Sequence, residues 1–340
     1  MRRCRIIALT HEDLVPPENP RETTDLSQVE WKTEFDVVST LKDLGHEVCV
    51  VGVRSDLGVV RRAMDDFKPH IAFNLLEEFD GVGVFDQNVV AYLELIRLPY
   101  TGCNPRGLIL ARDKGLARQI MAYHRIPFPA FRVFPVRRKI RIREPAFPLI
   151  VKSVSQEASL GISQASVVEN RDKLLERISF VHESIGTDAI VEQYIQGREL
   201  YVGLIGNARL KVLPIWELHL DGMPDELRRI ATARVKWSSK YQKKYDISSG
   251  PAEGLPAALT KQIQKMAKRV FRALNLSGYA RIDLRLDAHN RIYVLEANPN
   301  PQISYGEDFA ESAETAGVSY EALMQSLLNL GLSWKPDRLG

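Results

Sequence analysis

The chain has 340 residues, with 46 Lys or Arg against 43 Asp or Glu, for a net charge of +3. So even a balance gives no reason to expect nucleic acid or a membrane surface as partner, and no apolar run approaches the roughly eighteen residues of a spanning helix. Apolar residues make up 45%, enough for the cores of two or three domains, and the isolated Cys4, Cys49 and Cys103 form no CxxC or Cys/His cluster, which fits a cytoplasmic protein without zinc or disulfides.

Residues 5–9 form a short apolar strand, too brief for a signal sequence, and residues 10–27 a loop rich in Pro, Glu and Thr. Trp31, Phe35, Val38 and Leu41 then recur at helical spacing up to Gly45. A strand at 47–53, a helix at 57–67 and a strand at 71–73 complete a β-α-β-α-β order, which implies a parallel sheet covered by helices. The loop Asn74-Leu-Leu-Glu77-Glu78-Phe-Asp80-Gly81 lies at the carboxyl end of that third strand, where such sheets place ligands. A solvated connection explains it equally well. After a helix at 89–95 the first domain ends near Asn104-Pro105. Residues 108–124 read as one helix with Lys114 in its middle, and 128–134 as a strand. The basic run Arg137-Arg138-Lys139-Ile-Arg141-Ile-Arg143 lacks interleaved aromatics and reads as an exposed edge, not a nucleic-acid patch.

The strand at 147–152 ends in Lys152, and a loop of mostly small residues leads from it to a strand at 164–168. That arrangement can lay backbone N–H groups over phosphates, although it lacks the P-loop pattern. Asn170 caps a helix running to Val181. A strand from Ala189 to Ile195 turns through Gly197 and Glu199 into a hairpin, 200–205 with 210–213, around Gly206-Asn207. Residues 220–254 are polar and irregular, and carry Lys236, Lys240, Tyr241, Lys243, Lys244 and Tyr245. So long a stretch is more often a functional flap than filler. An amphipathic helix at 257–274 follows, and helices at 309–316 and 320–330 close the chain.

Between them lie two strands, Tyr279-Ala-Arg281-Ile-Asp283-Leu and Ile292-Tyr-Val-Leu-Glu296-Ala-Asn298-Pro, joined by the turn Asp287-Ala-His289-Asn290. They should pair as an antiparallel hairpin. Alternation puts Arg281 and Asp283 on one face, and Glu296 and Asn298 on one face. If the faces coincide, two carboxylates and an amide converge beside an arginine, a hard oxygen set that suits Mg²⁺. A polar face turned to solvent is the alternative, and Val294 and Leu295 are too apolar for it.

Arg281-Ile-Asp283 followed by Leu295-Glu296-Ala-Asn298, Val151-Lys152 with Ser159-Leu-Gly161-Ile, and Val191-Glu192-Gln-Tyr194-Ile195-Gln-Gly197-Arg198-Glu199 occur in one order and spacing. In these the chain resembles the ATP-grasp superfamily, and within it the D-alanine–D-alanine ligases. The resemblance implies an α/β ATP-grasp fold: an N-terminal parallel-sheet domain over 1–104, then two α+β subdomains clasping ATP. The first, 105–195, would hold the phosphate loop, and the second, 196–335, the metal and substrate site. It implies that Lys114 and Lys152 contact nucleotide phosphates. Glu192, Tyr194 and Ile195 would line the adenine slot, with the backbone of Gln193–Ile195 reading its edge, and Glu199 would hold the ribose hydroxyls. Lys240 would reach the γ-phosphate, and Ser159 is a further catalytic candidate in the phosphate loop. Asp283, Glu296 and Asn298 would bind two Mg²⁺, with Mn²⁺ as a substitute, and Arg281 would stabilise the acyl phosphate and the tetrahedral species. The substrates would be a small carboxylate and an amine, an amino acid or peptide. Such ligases are often dimers through the first domain.

Four departures separate the chain from that family pattern. The early glycine-rich loop is replaced by Thr10-His-Glu12-Asp-Leu-Val-Pro-Pro, and neither Glu12 nor Glu30 matches the glutamate for the first substrate's amine. The phosphate loop reads Glu157-Ala158-Ser159 in place of Gly-Ser-Ser, so the hydroxyl that would join the flap tyrosine in a hydrogen-bonded triad is missing; Tyr241 of the flap is a candidate substrate contact. A histidine-glycine segment is replaced by residues 74–78, including Glu77. The small residues that cradle the second substrate's carboxylate correspond to Gln302 and Glu307. A carboxylate beside Glu307 and Asp308 would meet like-charge repulsion, so the amine substrate is expected to differ from D-alanine and to carry a cationic or uncharged group there. The sequence thus reads as an ATP-dependent carboxylate–amine ligase. A genuine D-alanine–D-alanine ligase, an ATP-grasp small-molecule kinase and a non-catalytic ATP-binding module are the alternatives.

Overall fold

The structure is a computed structural model that describes residues 3–20, 25–26, 29–140, 146–155 and 161–336. Ser159, with the rest of residues 156–160, and Arg141 and Arg143 of the basic run lie outside the described residues.

The first strands, β1 (Arg5–His11), β2 (Glu47–Val53) and β3 (Ile71–Asn74), form a parallel sheet in the order β2-β1-β3. Ile6, Ile7, Ala8 and Leu9 are all buried, as expected for a strand covered on both faces. One cover is the helix Lys32–Asp43, whose Val37, Val38 and Leu41 are buried. The C-terminal helix Tyr320–Ser333 packs beside it through Leu323, Met324, Leu327 and Leu328.

A second sheet is antiparallel, built from β4 (Phe131–Phe134), β5 (Leu149–Ser153), β6 (Val167–Val168) and β7 (Ala189–Gln193) in the order β4-β7-β5-β6. The expected strand at 164–168 is mostly a 3₁₀ turn, Gln164–Ser166, closed by reciprocal Ser163 and Ser166 bonds. The helix Arg171–Phe180 covers this sheet, and Asn170 caps it by accepting from the Lys173 N–H.

The third sheet holds β8 (Arg198–Ile205), β9 (Lys211–His219), β10 (Ser248–Pro251), β11 (Tyr279–Leu286) and β12 (Ile292–Pro299), in the order β10-β9-β8-β11-β12. Ala280, Ile282, Leu284 and Leu286 of β11 face the helix Ala257–Ala273, which turns Leu259, Ile263, Ala267, Val270 and Phe271 inward. The other face of β11 is free for Arg281, Asp283 and Arg285, because side chains alternate along a strand.

Two differences from the sequence reading bear on the site. The expected single helix at 108–124 is two, Pro105–Arg112 and Lys114–Tyr123. Asp113 breaks it: its backbone is extended, and its carboxylate accepts from the Leu116 N–H as an N-cap. Lys114 therefore opens a helix and does not sit mid-helix. The irregular stretch at 220–254 contains short helices, Ala233–Trp237 and Ser239–Lys244, and the edge strand β10.

Gly197 joins the second sheet to the third. Its φ is +155°, and a Cβ there would lie 2.0 Å from the Leu286 carbonyl oxygen. Backbone on both sides would have to move. Gly197→Ala should therefore cost roughly 2–4 kcal/mol, measured as a shift in the urea midpoint without a change in slope.

Candidate active site

The hairpin register assembles the site. Asp283 pairs directly with Glu296, and Arg281 with Asn298, across β11 and β12. On the other side of β11, Asp283 faces Tyr201 and Arg285 faces Glu199 of β8. A β-bulge follows Asp283, of the kind that re-aims side chains near functional sites. The front of the third sheet is thus a ladder of charged and polar groups over three strands.

Arg281 clasps Asp283 in two hydrogen bonds, Nε to Oδ1 at 2.8 Å and Nη2 to Oδ2 at 2.9 Å. Its guanidinium also lies 4.5 Å from the Tyr201 ring centroid, a cation–π arrangement. Lys114 brings its Nζ to 3.9 Å from Glu296. Burial pushes the Glu296 carboxyl up, but Lys114, Lys236, Lys152 and Arg281 together hold it down at about 2. Glu296 is therefore ionised throughout the neutral range. Among the described residues no three His, Cys, Asp or Glu side chains gather as a metal site. The candidate oxygen set is two carboxylates and the Asn298 amide, whose Nδ2 is buried without a hydrogen-bond partner.

A cavity of ≈ 390 Å³ opens over this ladder, bounded by Arg281, Glu296 and Asn298, by Lys236 of the flap, and by Gln302 and Glu307. Burial first, then the neighbouring Asp308, raises the Glu307 carboxyl above its ordinary value, against the pull of Lys32 and Arg281. Asp308 accepts from the Ser249 hydroxyl at 2.5 Å, which ties β10 to the helix Asp308–Thr315. Glu77 and Gln302 border this cavity and a second one beside it.

A larger cleft of ≈ 1050 Å³ runs along the connection from the second sheet to the third, past Gln193, Tyr194, Ile195 and Glu199. Glu192 does not border it. Strand alternation turns Glu192 inward, where Arg118 donates to Oε1 at 3.0 and 2.7 Å and Lys152 to Oε2 at 2.8 Å. Burial raises the Glu192 carboxyl, and these two cations outweigh it and hold it at about 2. Glu192 thus holds the Lys152 ammonium. The backbone N–H groups of Gln193 and Tyr194 are engaged by the Ala130 and Pro148 carbonyls. Glu199 is paired too: Arg285 Nη2 donates at 2.5 Å and the Tyr201 hydroxyl at 3.1 Å.

The flap residues are redistributed as well. Lys240 is exposed on the helix Ser239–Lys244 and borders neither cavity, whereas Lys236 reaches the ladder. Tyr241 packs against the apolar cluster of Leu220, Met223 and Val235, with the Tyr245 ring 4.8 Å away. Sequence reasoning missed Arg118, Lys236 in this role, and Arg285. Arg118 left a trace at i+4 from Lys114 on the same helix face, and Arg285 at i+2 from Asp283 on the same strand face.

Residues 135–329 match the family model described as D-ala D-ala ligase C-terminus, which is more than half of the chain. The chain belongs to the D-alanine–D-alanine ligase family. It is a ligase of that type with the ATP-grasp fold. An uncharacterised protein, y4sG, of Sinorhizobium fredii is 30% identical over 307 residues, 86% of this chain and 85% of its own. A D-alanine–D-alanine ligase of Desulforudis audaxviator is 29% identical over 86% of this chain and 90% of its own. The structure of the Bacillus anthracis D-alanine–D-alanine ligase complexed with ATP superposes with a TM-score of 0.74 at 22% identity, covering 97% of both chains. The VanG D-Ala:D-Ser ligase of Enterococcus faecalis gives 0.69 at 18% identity, covering 97% of this chain and 100% of its own. Among the described residues no helix is long and apolar enough to cross a membrane.

Proposed function

We propose that the protein joins a carboxylate to an amine at the expense of ATP, through an acyl phosphate, with substrates other than two D-alanines. The observation that carries this is one cavity bordered by Lys236, Arg281, Glu296 and Asn298, with Lys114 3.9 Å from Glu296 and Asp283 beside it in the clasp of Arg281. A cationic rim around an ionised carboxylate is what a polyphosphate and its counter-ions need. In this reading residues 1–104 are the N-terminal parallel-sheet domain, 105–195 carry the phosphate loop, and 196–335 carry the metal and substrate site.

A carboxylate resists attack by an amine because oxide would have to leave. Transfer of the γ-phosphoryl group to a carboxylate oxygen, with ADP departing, gives an acyl phosphate. The amine nitrogen then attacks the carbonyl carbon, phosphate leaves, and the amide forms. Lys114 and Lys152 steady the phosphates, Lys152 being aimed by Glu192. Tyr194, Ile195 and Glu199 face the nucleoside. Arg281 donates to the oxygen that gains charge at the carbonyl. Mg²⁺, or Mn²⁺ in its place, would neutralise phosphate charge, as two ions held by Asp283, Glu296 and Asn298. Arg281 donates one hydrogen bond to each Asp283 oxygen, which leaves a lone pair on each for a cation and further guanidinium N–H groups for the carbonyl.

Glu307, with Asp308 next to it, argues against a second substrate whose carboxylate lies there. A matrix of acids and amines, read as ADP release, tests the whole reading. Turnover should need one of each. ADP release with a single substrate and no amine would mark a kinase instead, and saturable turnover with D-alanine alone would restore the family's usual substrates.

A further inference from the structure

Arg285 takes no part in the reaction described above, yet it is 4% exposed on the polar front of β11. Its register partner on β8 is Glu199. From that position one guanidinium reaches three segments. Nη2 donates to Glu199 Oε2 at 2.5 Å, and Nη1 donates to the Gly197 and Arg229 carbonyl oxygens, each at 3.0 Å. Gly197 belongs to the connection between the second and third sheets, where a Cβ would meet the Leu286 carbonyl, and Arg229 belongs to the start of the flap.

Stability alone does not call for this pair. Replacing both members of a buried ion pair by apolar residues is often neutral or stabilising. What the pair does supply is a carboxylate of fixed direction. Glu199 borders the large cleft together with Tyr194 and Ile195. Arg285 holds its Oε2, and the Tyr201 hydroxyl donates to its Oε1 at 3.1 Å, which leaves a lone pair on each oxygen. Two such acceptors side by side suit two neighbouring hydroxyl groups, which in a nucleotide are those of the ribose. A carboxylate that had to be ordered on binding would lose part of this interaction to side-chain entropy. The planar fork of an arginine, anchored on two carbonyls, removes that loss.

We propose that Arg285 is a positioning residue of the nucleotide site: by clamping Glu199 to the Gly197 connection and the flap start, it sets the preference for a nucleotide with both ribose hydroxyls. This rests on the ligase reading above, in which Glu199 faces the nucleoside. Arg285 itself does not border the cleft, so it acts through Glu199.

The test is calorimetric titration of the full chain with MgATP and with the magnesium complex of 2′,3′-dideoxyATP, without other substrates. The intact protein should bind MgATP roughly tenfold or more tightly than the dideoxy nucleotide, because hydrogen bonds to a charged group carry the difference. Arg285→Met should remove that preference by weakening MgATP. Arg285→Lys keeps a cation beside Glu199 and so protects the fold; it should lose most of the preference too, because an ammonium lacks the fork that holds Glu199 and both carbonyls together. Where the methionine variant does not fold, the lysine variant decides. A merely structural role would weaken both nucleotides alike and keep their ratio. An unchanged ratio in a folded variant, or no preference in the intact protein, overturns the inference, while binding of MgATP leaves the ligase reading standing. An intact protein that binds no MgATP overturns the ligase reading, and this inference with it.

Discussion

Replacing Glu296 with glutamine should lower ADP release by on the order of 10³-fold while leaving nucleotide binding equal or tighter. The side chain keeps its shape, so packing along β12 is little changed. What is lost is a negative charge held in the ionised form at about 2 by three lysines and Arg281, against the effect of burial. Those cations, no longer sharing a carboxylate, are then available to phosphate oxygens. Binding and turnover therefore move apart. Titration of MgATP by calorimetry beside steady-state ADP release separates the two. Retained turnover would remove Glu296 from the reaction; a joint loss of both would mean that its role is nucleotide binding alone.

The second large effect is on stability. Arg118 is 1% exposed and Glu192 0%, and Arg118 also donates to the Leu295 carbonyl, the residue before Glu296. Arg118→Met leaves Glu192 with Lys152 alone and removes a tie from the helix Lys114–Tyr123 to the second and third sheets. A loss of about 3–5 kcal/mol is expected, since removing one partner strands a buried charge. The double variant Arg118→Met with Glu192→Met should recover part of it. The pH dependence distinguishes this from simple cavity formation. In the intact protein the Glu192 carboxyl is held at about 2, below its ordinary 4.5, so its stabilisation is full above 4.5 and lost as pH falls through 2. Without Arg118 the carboxyl titrates higher, and protonation relieves the penalty. The deficit should be largest at neutral pH and shrink on acidification, measured as urea midpoints from pH 7 to pH 4. A pH-independent deficit would point to lost packing only.

The elements of this fold were largely legible because local rules govern them. The β-α-β-α-β start, the Asn170 cap and the amphipathic helix before the hairpin follow from periodicity and capping. So does the catalytic ladder: alternation with a period of two places Arg281 and Asp283 together, and the hairpin turn sets them opposite Asn298 and Glu296. Where one short side chain outweighs periodicity the reading fails, as at Asp113, whose cap splits a continuous helical pattern in two.

Which charges share a buried space was decided by tertiary packing alone. Arg118 and Glu192 stand 74 residues apart, and no spacing rule links them. Their meeting buries Glu192 between Arg118 and Lys152. The same holds for Lys236, which borders the cavity where Lys240 does not, and for Arg285, which pairs with Glu199. Glu34 reads in sequence as one more acidic residue on a helix; only the packing of the first sheet against the segment after Asn298 encloses it. Sequence by itself determined the family, the order of the elements and the hairpin that sets Arg281 and Asp283 opposite Asn298 and Glu296, because these rest on neighbours along one or two strands. The partners of each buried charge rest on contacts between distant elements.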